Sequence, residues 1–406
     1  MSRPRLLVLG GSRNQIPVVV RARQMGLEVV VIDMHESPPA HIHADHFFQC
    51  NTSDISQAID IARECKVDGV LSPATDIAVM TQAAIAEALN LVAPTAMAAA
   101  VLTDKSAFRR HCEEGQIPGV RWRSLSEGSK PDRLIDGRAS IVKPNRASGG
   151  RGARKLNCKS DIHRIWPECA RETNGHGALI EEWVEGQQLT IEGYLFDGRL
   201  IFDAFTERMP MDEPYVGTIA HDAPASTGVG VRDRVIELVE RVYRTVGITS
   251  GPIDADIVVR PNNEPVILET SPRLGGNDLC QLIKAGWGVD IAQAAILHAL
   301  GKAEDGARLL AGARQKGACC VRILHSKTDG ILKYDEAGLD HLRAENWVSS
   351  LNVDYTPGSR VPAFQSGRDR IGSIVLADVS ISAVMTRVQQ AYDRLNFHIE
   401  ENLSPV

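Results

Sequence analysis

Two acids interrupt apolar runs. Asp256 lies in Asp254-Ala255-Asp256-Ile257-Val258-Val259 and Glu269 in Val266-Ile267-Leu268-Glu269. Both runs read as strands, joined by a turn at Asn262-Asn263 short enough for antiparallel neighbours to set the carboxylates side by side. A carboxylate buried without a partner is strongly disfavoured. A hard divalent cation with oxygen ligands removes that penalty, and magnesium is commonly held by one or two carboxylates together with nucleotide phosphates. A structural salt bridge from these acids to Arg260 or Arg273 is the other reading.

A second group of residues suits phosphate. The strand Ile141-Val142-Lys143-Pro144 runs into the glycine-rich loop Ser148-Gly149-Gly150-Arg151-Gly152. Small residues let successive backbone N–H groups converge on phosphate oxygens, and Lys143 adds a fixed positive charge. The loop lacks the GxxxxGK[ST] spacing of a Walker loop, and a flexible hairpin tip with an incidental lysine fits the same residues. The segment Glu181-Glu182-Trp183-Val184-Glu185-Gly186 reads as a strand end and turn whose main chain suits an adenine edge, or as an edge strand carrying exposed acids. Gly10-Gly11 after the first strand lacks the GxGxxG spacing of a dinucleotide site, which favours a plain strand-to-helix turn or a substrate-facing loop, even with Asp33 ending the next strand.

The elements that must carry these residues alternate at first. Leu6 to Leu9 and Glu28 to Asp33 read as strands, Ile16 to Met25 as a helix, Gly69 to Ser72 as a strand, and Ile77 to Leu89 and the stretch from Ala96 as helices, the pattern of a doubly wound parallel sheet. From Asp104 the pattern changes to a helix from Lys105 to Glu114, a Gly/Pro/Ser-bearing stretch to Gly137, a strand from Ala139 to Lys143, and strands from Ala178 to Phe205 with a hairpin at Asp197-Gly198. A polar loop follows, with helices from Arg232 to Val246 and from Asp290 to Leu300 around the two acid-bearing strands. The last hundred residues read as a small mixed domain with a helix from Ile381 to Arg394.

At 406 residues the chain has room for two to four domains. Its net charge of -6 offers no broad basic field for a nucleic acid or an anionic membrane, which leaves small-molecule partners. No CxxC pair occurs among the eight cysteines, so structural zinc is not expected and a reduced compartment is. No signal-peptide pattern opens the chain, and no apolar run approaches the roughly 20 residues of a bilayer span. The cytoplasm is the expected location.

Taken in order, Asp104-Lys105, Val142-Lys143-Pro144, the loop from Ser148 to Gly152, Glu181 to Gly186, Asp256 and Glu269-Thr270-Ser271-Pro272-Arg273 resemble the ATP-grasp superfamily, above all its carboxylate-amine ligase branch, which includes amino-acid ligases. Val31-Ile32-Asp33 with Ala44-Asp45, and Ala74-Thr75-Asp76, extend the resemblance over roughly the whole chain. It implies an α/β protein of ATP-grasp fold. A doubly wound, Rossmann-like domain would span 1–103, a small ATP-grasp subdomain with the flap 104–180, a large subdomain with the metal acids 181–302, and a small C-terminal α+β domain 303–406. ATP and Mg2+, with Mn2+ as a substitute, are the implied cofactors, and a homodimer is the implied assembly.

The resemblance also assigns roles. Lys105 and Lys143 would contact ATP phosphates beneath a flap including Ser148, Gly149 and Gly150, with Lys143 counted among the catalytic residues. Glu181 or Glu182 would take the adenine amino group, with the main chain at Trp183 and Val184 completing the hinge and Gln188 standing in the ribose position where Glu is usual. Glu192 matches a recurring acid. Asp256 and Glu269 would bind metal, with Ser271 in place of the usual Asn and Asp256 in place of the usual Glu. Arg273 would steady the transferred phosphoryl group, beside the glycine turn Gly275-Gly276, which is placed at the substrate. His221, in the loop from Pro210 to Pro224, is placed against the acyl or amine substrate, or else is a solvated loop histidine. The implied reaction is activation of a carboxylate as an acyl phosphate and its capture by an amine. Rival readings are a carboxylating ATP-grasp enzyme, a non-catalytic ATP-binding regulator and an NAD-dependent oxidoreductase built on the first domain.

Overall fold

The alternation in the first hundred residues builds a four-stranded parallel sheet in the order His46–Gln49, Glu28–Asp33, Arg5–Leu9, Gly69–Leu71, seen in a computed structural model that describes residues 3–126 and 129–401. Glu127 and Gly128, inside the Gly/Pro/Ser-bearing stretch, lie outside the described residues. Successive side chains point to opposite faces. Leu6, Val8, Val29 and Val31 therefore pack with helix Ile16–Gln24, while Leu7, Leu9, Val30 and Ile32 pack with helices Ile55–Glu64 and Val79–Leu89. Both faces are covered, which is why these strands read as continuous apolar runs. Their carboxyl ends at Gly10, Asp33 and residues 72–77 form one edge, where open α/β sheets bind ligands.

The turn after the first strand is occupied by its own packing. Gly11 N–H donates to Asp33 Oδ2 at 2.7 Å, and a Cβ at Gly11 would lie 2.5 Å from Pro38 Cγ. Asp33 also accepts from His35 N–H at 2.9 Å, so this acid is engaged by local main chain.

A second sheet is antiparallel in the order Trp122–Leu125, Ala178–Glu182, Ser140–Pro144, Arg154–Leu156, and packs on Ile162, Ile165 and Cys169 of helix Asp161–Arg171. The glycine-rich loop joins its last two strands.

The third sheet has eight strands in the order Pro265–Ser271, Gly251–Val259, Gln187–Phe196, Arg199–Pro210, Thr218–Ala223, Ala318–Leu324, Gly372–Asp378, Val348–Val353. Helix Val231–Thr245 covers one end through Val235, Val239, Val242 and Tyr243. Three strands from beyond residue 303 thus extend the sheet that carries the acids, while Arg360–Val361, Gly330–Lys333 and His398–Glu401 form a small sheet of their own. No helix among the described residues is long and apolar enough to cross a membrane.

Two differences from the sequence reading bear on the site. Thr218–Ala223, expected within a loop, is an interior strand paired on both sides, because its polar residues find partners there: Asp222 meets Arg322 at 2.6 Å and His221 Nδ1 meets Thr206 Oγ1 at 3.1 Å. Helix Leu279–Trp287 follows the glycine turn, and its face of Leu279, Leu282 and Ile283 helps join the parallel sheet to the eight-stranded one.

Candidate active site

A cavity of about 900 Å³ opens where the three sheets meet, within the range of small-molecule sites. Its walls include the loop residues Arg13 and Asn14, the glycine-rich loop, the hinge at 181–184, the acid-bearing strands and Arg368 and Arg370 near the C-terminus.

The two acids meet as their spacing predicts. Asp256 and Glu269 are direct cross-strand partners, and the register shifts just beyond them. Asp254 and Asp256 share a face of strand Gly251–Val259, which sets Glu192 and Thr190 beside them on one flank and Ser271 and Glu269 on the other. Neither Arg260 nor Arg273 is the partner of Asp256. Arg208 Nη1 lies 2.7 Å from Asp256 Oδ2, Thr190 Oγ1 donates to Oδ1 at 2.6 Å, and Arg208 Nη2 also donates to Gln188 Oε1 at 2.6 Å. Burial and Glu269 push the Asp256 carboxyl above its ordinary range, against Arg208. Glu269 keeps 49% of its side-chain surface open to the cleft. Burial would raise it, but Lys105, Lys143 and Arg208 together pull it down to about 2.

The lysines come from the opposite wall. Lys105 opens helix Lys105–Glu114, capped by Asp104, whose side chain accepts from Ala107 N–H at 3.0 Å. Its Nζ donates to Ala147 O at 2.6 Å and lies 3.5 Å from Glu269 Oε2. One turn on, the fully buried Arg109 donates from Nε to Glu181 Oε1 at 2.6 Å and from Nη2 to Leu268 O at 2.6 Å. Lys143 Nζ takes the other Glu181 oxygen, also at 2.6 Å. Burial lowers the Lys143 ammonium while Glu181 holds it up, and the two cations keep Glu181 below its usual value against burial.

This changes what Glu181 and Glu182 offer. Both oxygens of Glu181 are engaged by Arg109 and Lys143, and Glu182 is held by Arg260 at 2.8 Å and Arg121 at 2.6 Å. Trp183 N–H donates to Ala139 O at 2.9 Å, which turns the expectation of a main-chain donor in this hinge onto Val184.

In the flap, Gly149, Gly150 and Gly152 have φ of +64°, +74° and +65°, a region L side chains rarely adopt. A Cβ on Gly150 would also lie 3.2 Å from Gly217 Cα.

Arg273 is 12% exposed and bonds Asp76, with Nη2 at 2.7 Å and Nε at 2.9 Å, and Asp254. Burial would lower its pKa, but Asp76, Asp254 and Glu192 raise it, so it stays charged. His221 lines the cavity at 2% exposure, and burial, Arg208 and Arg322 push it down to about 3. Thr206 Oγ1 donates to Thr190 O at 3.2 Å, so it accepts from His221 Nδ1–H. The neutral ring then has its lone pair at Nε2, which is buried without a partner.

Lys105, Lys143, Ser148, Gly149, Gly150, Glu181, Glu182, Trp183, Val184, Gln188, His221, Asp256, Glu269, Arg273 and Gly276 all line this cavity. Ser271 and Gly275 do not. Ser271 stands opposite Asp254, 4% exposed, with no partner for its Oγ, and a Cβ at Gly275 would overlap the Glu192 carboxylate, so that glycine serves packing. Asp76, Arg109, Asp254 and Arg208 were not expected at the site. Lys105 and Arg109 are four apart on one helix and Asp254 and Asp256 two apart on one strand, spacings that point to shared faces.

Residues 139–281 match the family profile of an ATP-grasp domain, and residues 322–400 that of L-amino acid ligase C-terminal domain 2. The chain carries an ATP-grasp domain. It is 25% identical over 350 residues to the uncharacterized protein y4rH of Sinorhizobium fredii, covering 81% of this chain and 70% of that one. It is 21% identical to a formate-dependent phosphoribosylglycinamide formyltransferase of Histophilus somni, over 97% of each. The L-amino acid ligase of Bacillus licheniformis shares the ATP-grasp architecture with a TM-score of 0.80 at 16% identity, over 99% of this chain and 100% of that one. Solved structures of similar fold include a carboxyaminoimidazole ribonucleotide synthase complexed with ATP and the N5-carboxyaminoimidazole synthetase of Staphylococcus aureus complexed with ADP.

Proposed function

We propose that this ATP-grasp ligase activates a carboxylate as an acyl phosphate with ATP and Mg2+ and joins it to an amine, with amino-acid-like substrates. The observation that carries the reading is the direct pairing of Asp256 with Glu269 across one wall, faced by Lys105 from another. Among the described residues no three His, Cys, Asp or Glu side chains form a metal cage by themselves. Two carboxylates completed by phosphate oxygens suit magnesium, with Arg208 and Lys105 now balancing the charge it would balance. Magnesium so held would neutralise phosphate charge.

In this reading segment 104–180 supplies the lysines and the flap, and segment 181–302 the acids and Arg273. Lys105, Lys143 and Arg273 offset charge on the transferred phosphoryl group, and positioning supplies most of the rate. Arg109 orients Lys143 through Glu181, and the flap keeps water from the acyl phosphate. Neutral His221 offers Nε2 as an acceptor to an incoming amine N–H. A phosphate-release screen with ATP, magnesium and paired amino acids tests the reaction; release that never depends on the pair contradicts it. Transfer of 18O from the carboxylate into phosphate tests the acyl phosphate, and turnover without transfer excludes it. Unchanged substrate constants in His221→Ala would remove that residue's role.

The formate dependence named for the Histophilus somni relative favours one other reading, a small acid such as formate or bicarbonate as the activated group. It shares every ATP contact and is tested by adding formate and bicarbonate, each with an amine, to the same screen. A cytoplasmic homodimer completes the proposal, with light scattering as its check.

A further inference from the structure

Six arginines line the central cavity, and their compensation differs. Arg13 pairs with Asp354, Arg208 with Asp256 and Arg273 with Asp76 and Asp254. Arg370 lies 3.6 Å from Asp354 and 3.8 Å from Asp278 and donates to Asn14. Arg151 and Arg368 instead share a single acid: Glu172 lies 3.8 Å from one and 3.9 Å from the other, beyond direct hydrogen bonding. Burial and the charge of Arg368 both lower the Arg151 guanidinium against Glu172 and the more distant Asp76, although it stays protonated.

These two cations come from separate parts of the chain and are held together by main chain. Gly367 N–H donates to Gly149 O at 2.9 Å, tying the flap to the turn Gly367–Asp369. Asp369 in turn accepts from Gln365 N–H and Ser366 N–H, which fixes the backbone beneath Arg368. Two residues on, Arg370 donates to Asn14 near the end of the first strand, so this turn also meets the N-terminal region.

We propose that Arg151 and Arg368 form an anion clamp for an acidic group carried by one of the two substrates, either a side-chain carboxylate or a phosphate ester. The inference rests on the ligase reading above and names the substrate class. Two guanidinium forks around one anion match the bidentate geometry that carboxylate and phosphate oxygens favour.

The test is the phosphate-release assay at saturating ATP with isosteric pairs at each substrate position: aspartate against asparagine, glutamate against glutamine, phosphoserine against serine. The expected result is a kcat/KM preference of about tenfold or more for one acidic member, the scale of a charge-assisted contact. Which arm shows it separates carboxylate from phosphate. Arg368→Gln is expected to bring that preference close to one while moving the KM for ATP by less than about threefold. Arg368→Lys, which keeps the charge and loses the fork, is expected to fall between, and serves alone if the glutamine variant does not fold. Equal use of acid and neutral isostere overturns the clamp, as does a preference untouched in both variants. A raised KM for ATP with the preference intact overturns it too. Turnover of neutral pairs alone contradicts the clamp and spares the ligase reading, whereas silence from every pair contradicts both.

Discussion

Two carboxylate pairs sit two residues apart on strand Gly251–Val259 and behave in opposite ways. Asp256 faces Glu269, beside Lys105, Lys143 and Arg208, and there Glu269 is held down to about 2. Asp254 faces Glu192, and although Arg273 bonds Asp254, burial and the nearby acids Asp256 and Asp76 push its carboxyl up to about 6. Burial and Asp254 likewise push Glu192 well above its ordinary range, and neither of its oxygens has a hydrogen-bond partner. Glu269 is the one acid of the four that the facing cations hold below its ordinary range, while burial and neighbouring acids leave Asp256, Asp254 and Glu192 above theirs.

The contrast is broken most sharply by neutralising one acid from each end. Asp256→Asn and Glu269→Gln are expected to lower kcat/KM on the order of 10² to 10³-fold, the scale of a lost contact to developing charge. Asp254→Asn is expected to cost far less, about tenfold or under, because that end acts by holding Arg273. Equal losses from both ends in steady-state assays would erase the distinction.

Next in size is the support behind the lysine wall. Arg109→Met leaves the buried Glu181 with Lys143 as its one remaining cation. Breaking a buried ion network by removing one member destabilises by about 3–5 kcal/mol. Urea denaturation should show that loss, and an unfolding free energy within about 0.5 kcal/mol of the parent, the range of a surface change, would mean that the network is not coupled to folding.

Smallest is the pH dependence, where the two ends have opposite signs. Asp254 has a raised folded-state value, so its contribution to stability is complete below about 3.8 and is lost as pH rises through about 6. Glu269 has a lowered value, so its contribution is complete above about 4.5 and is lost as pH falls through about 2. Its open cleft position allows solvent screening, which reduces the size of the second effect. Thermal melts of Asp254→Asn should lose part of the parent's decline between pH 4 and 6, and those of Glu269→Gln part of its decline below 4.5. Identical profiles in both variants would contradict the assignment.

Much of this was legible from residue patterns. The apolar runs of the first sheet, the hairpin at Asp197-Gly198 and the pairing of Asp256 with Glu269 follow from periodicity and turn chemistry. What escaped depends on distant partners. Strand Thr218–Ala223 fell within the loop read from Pro210 to Pro224, and only Thr206 and Arg322 on the neighbouring strands make His221 and Asp222 tolerable inside a sheet. Arg208 and Arg109 left no spacing of their own that tied them to Asp256 and Glu181, 48 and 72 residues away. Glu181 or Glu182 was read as the adenine contact, and a sequence cannot show that two cations engage both oxygens of Glu181.

The central claim is that a cation caged by Asp256 and Glu269 meets the triphosphate of ATP. Mn2+ binding followed by electron paramagnetic resonance, with a non-hydrolysable ATP analogue present, tests it without requiring the substrates. Tight Mn2+ binding is expected to depend on the analogue, to be lost in Asp256→Asn and Glu269→Gln, and to survive in Asp254→Asn. Undiminished binding in the first two variants, or loss in the third alone, would contradict it.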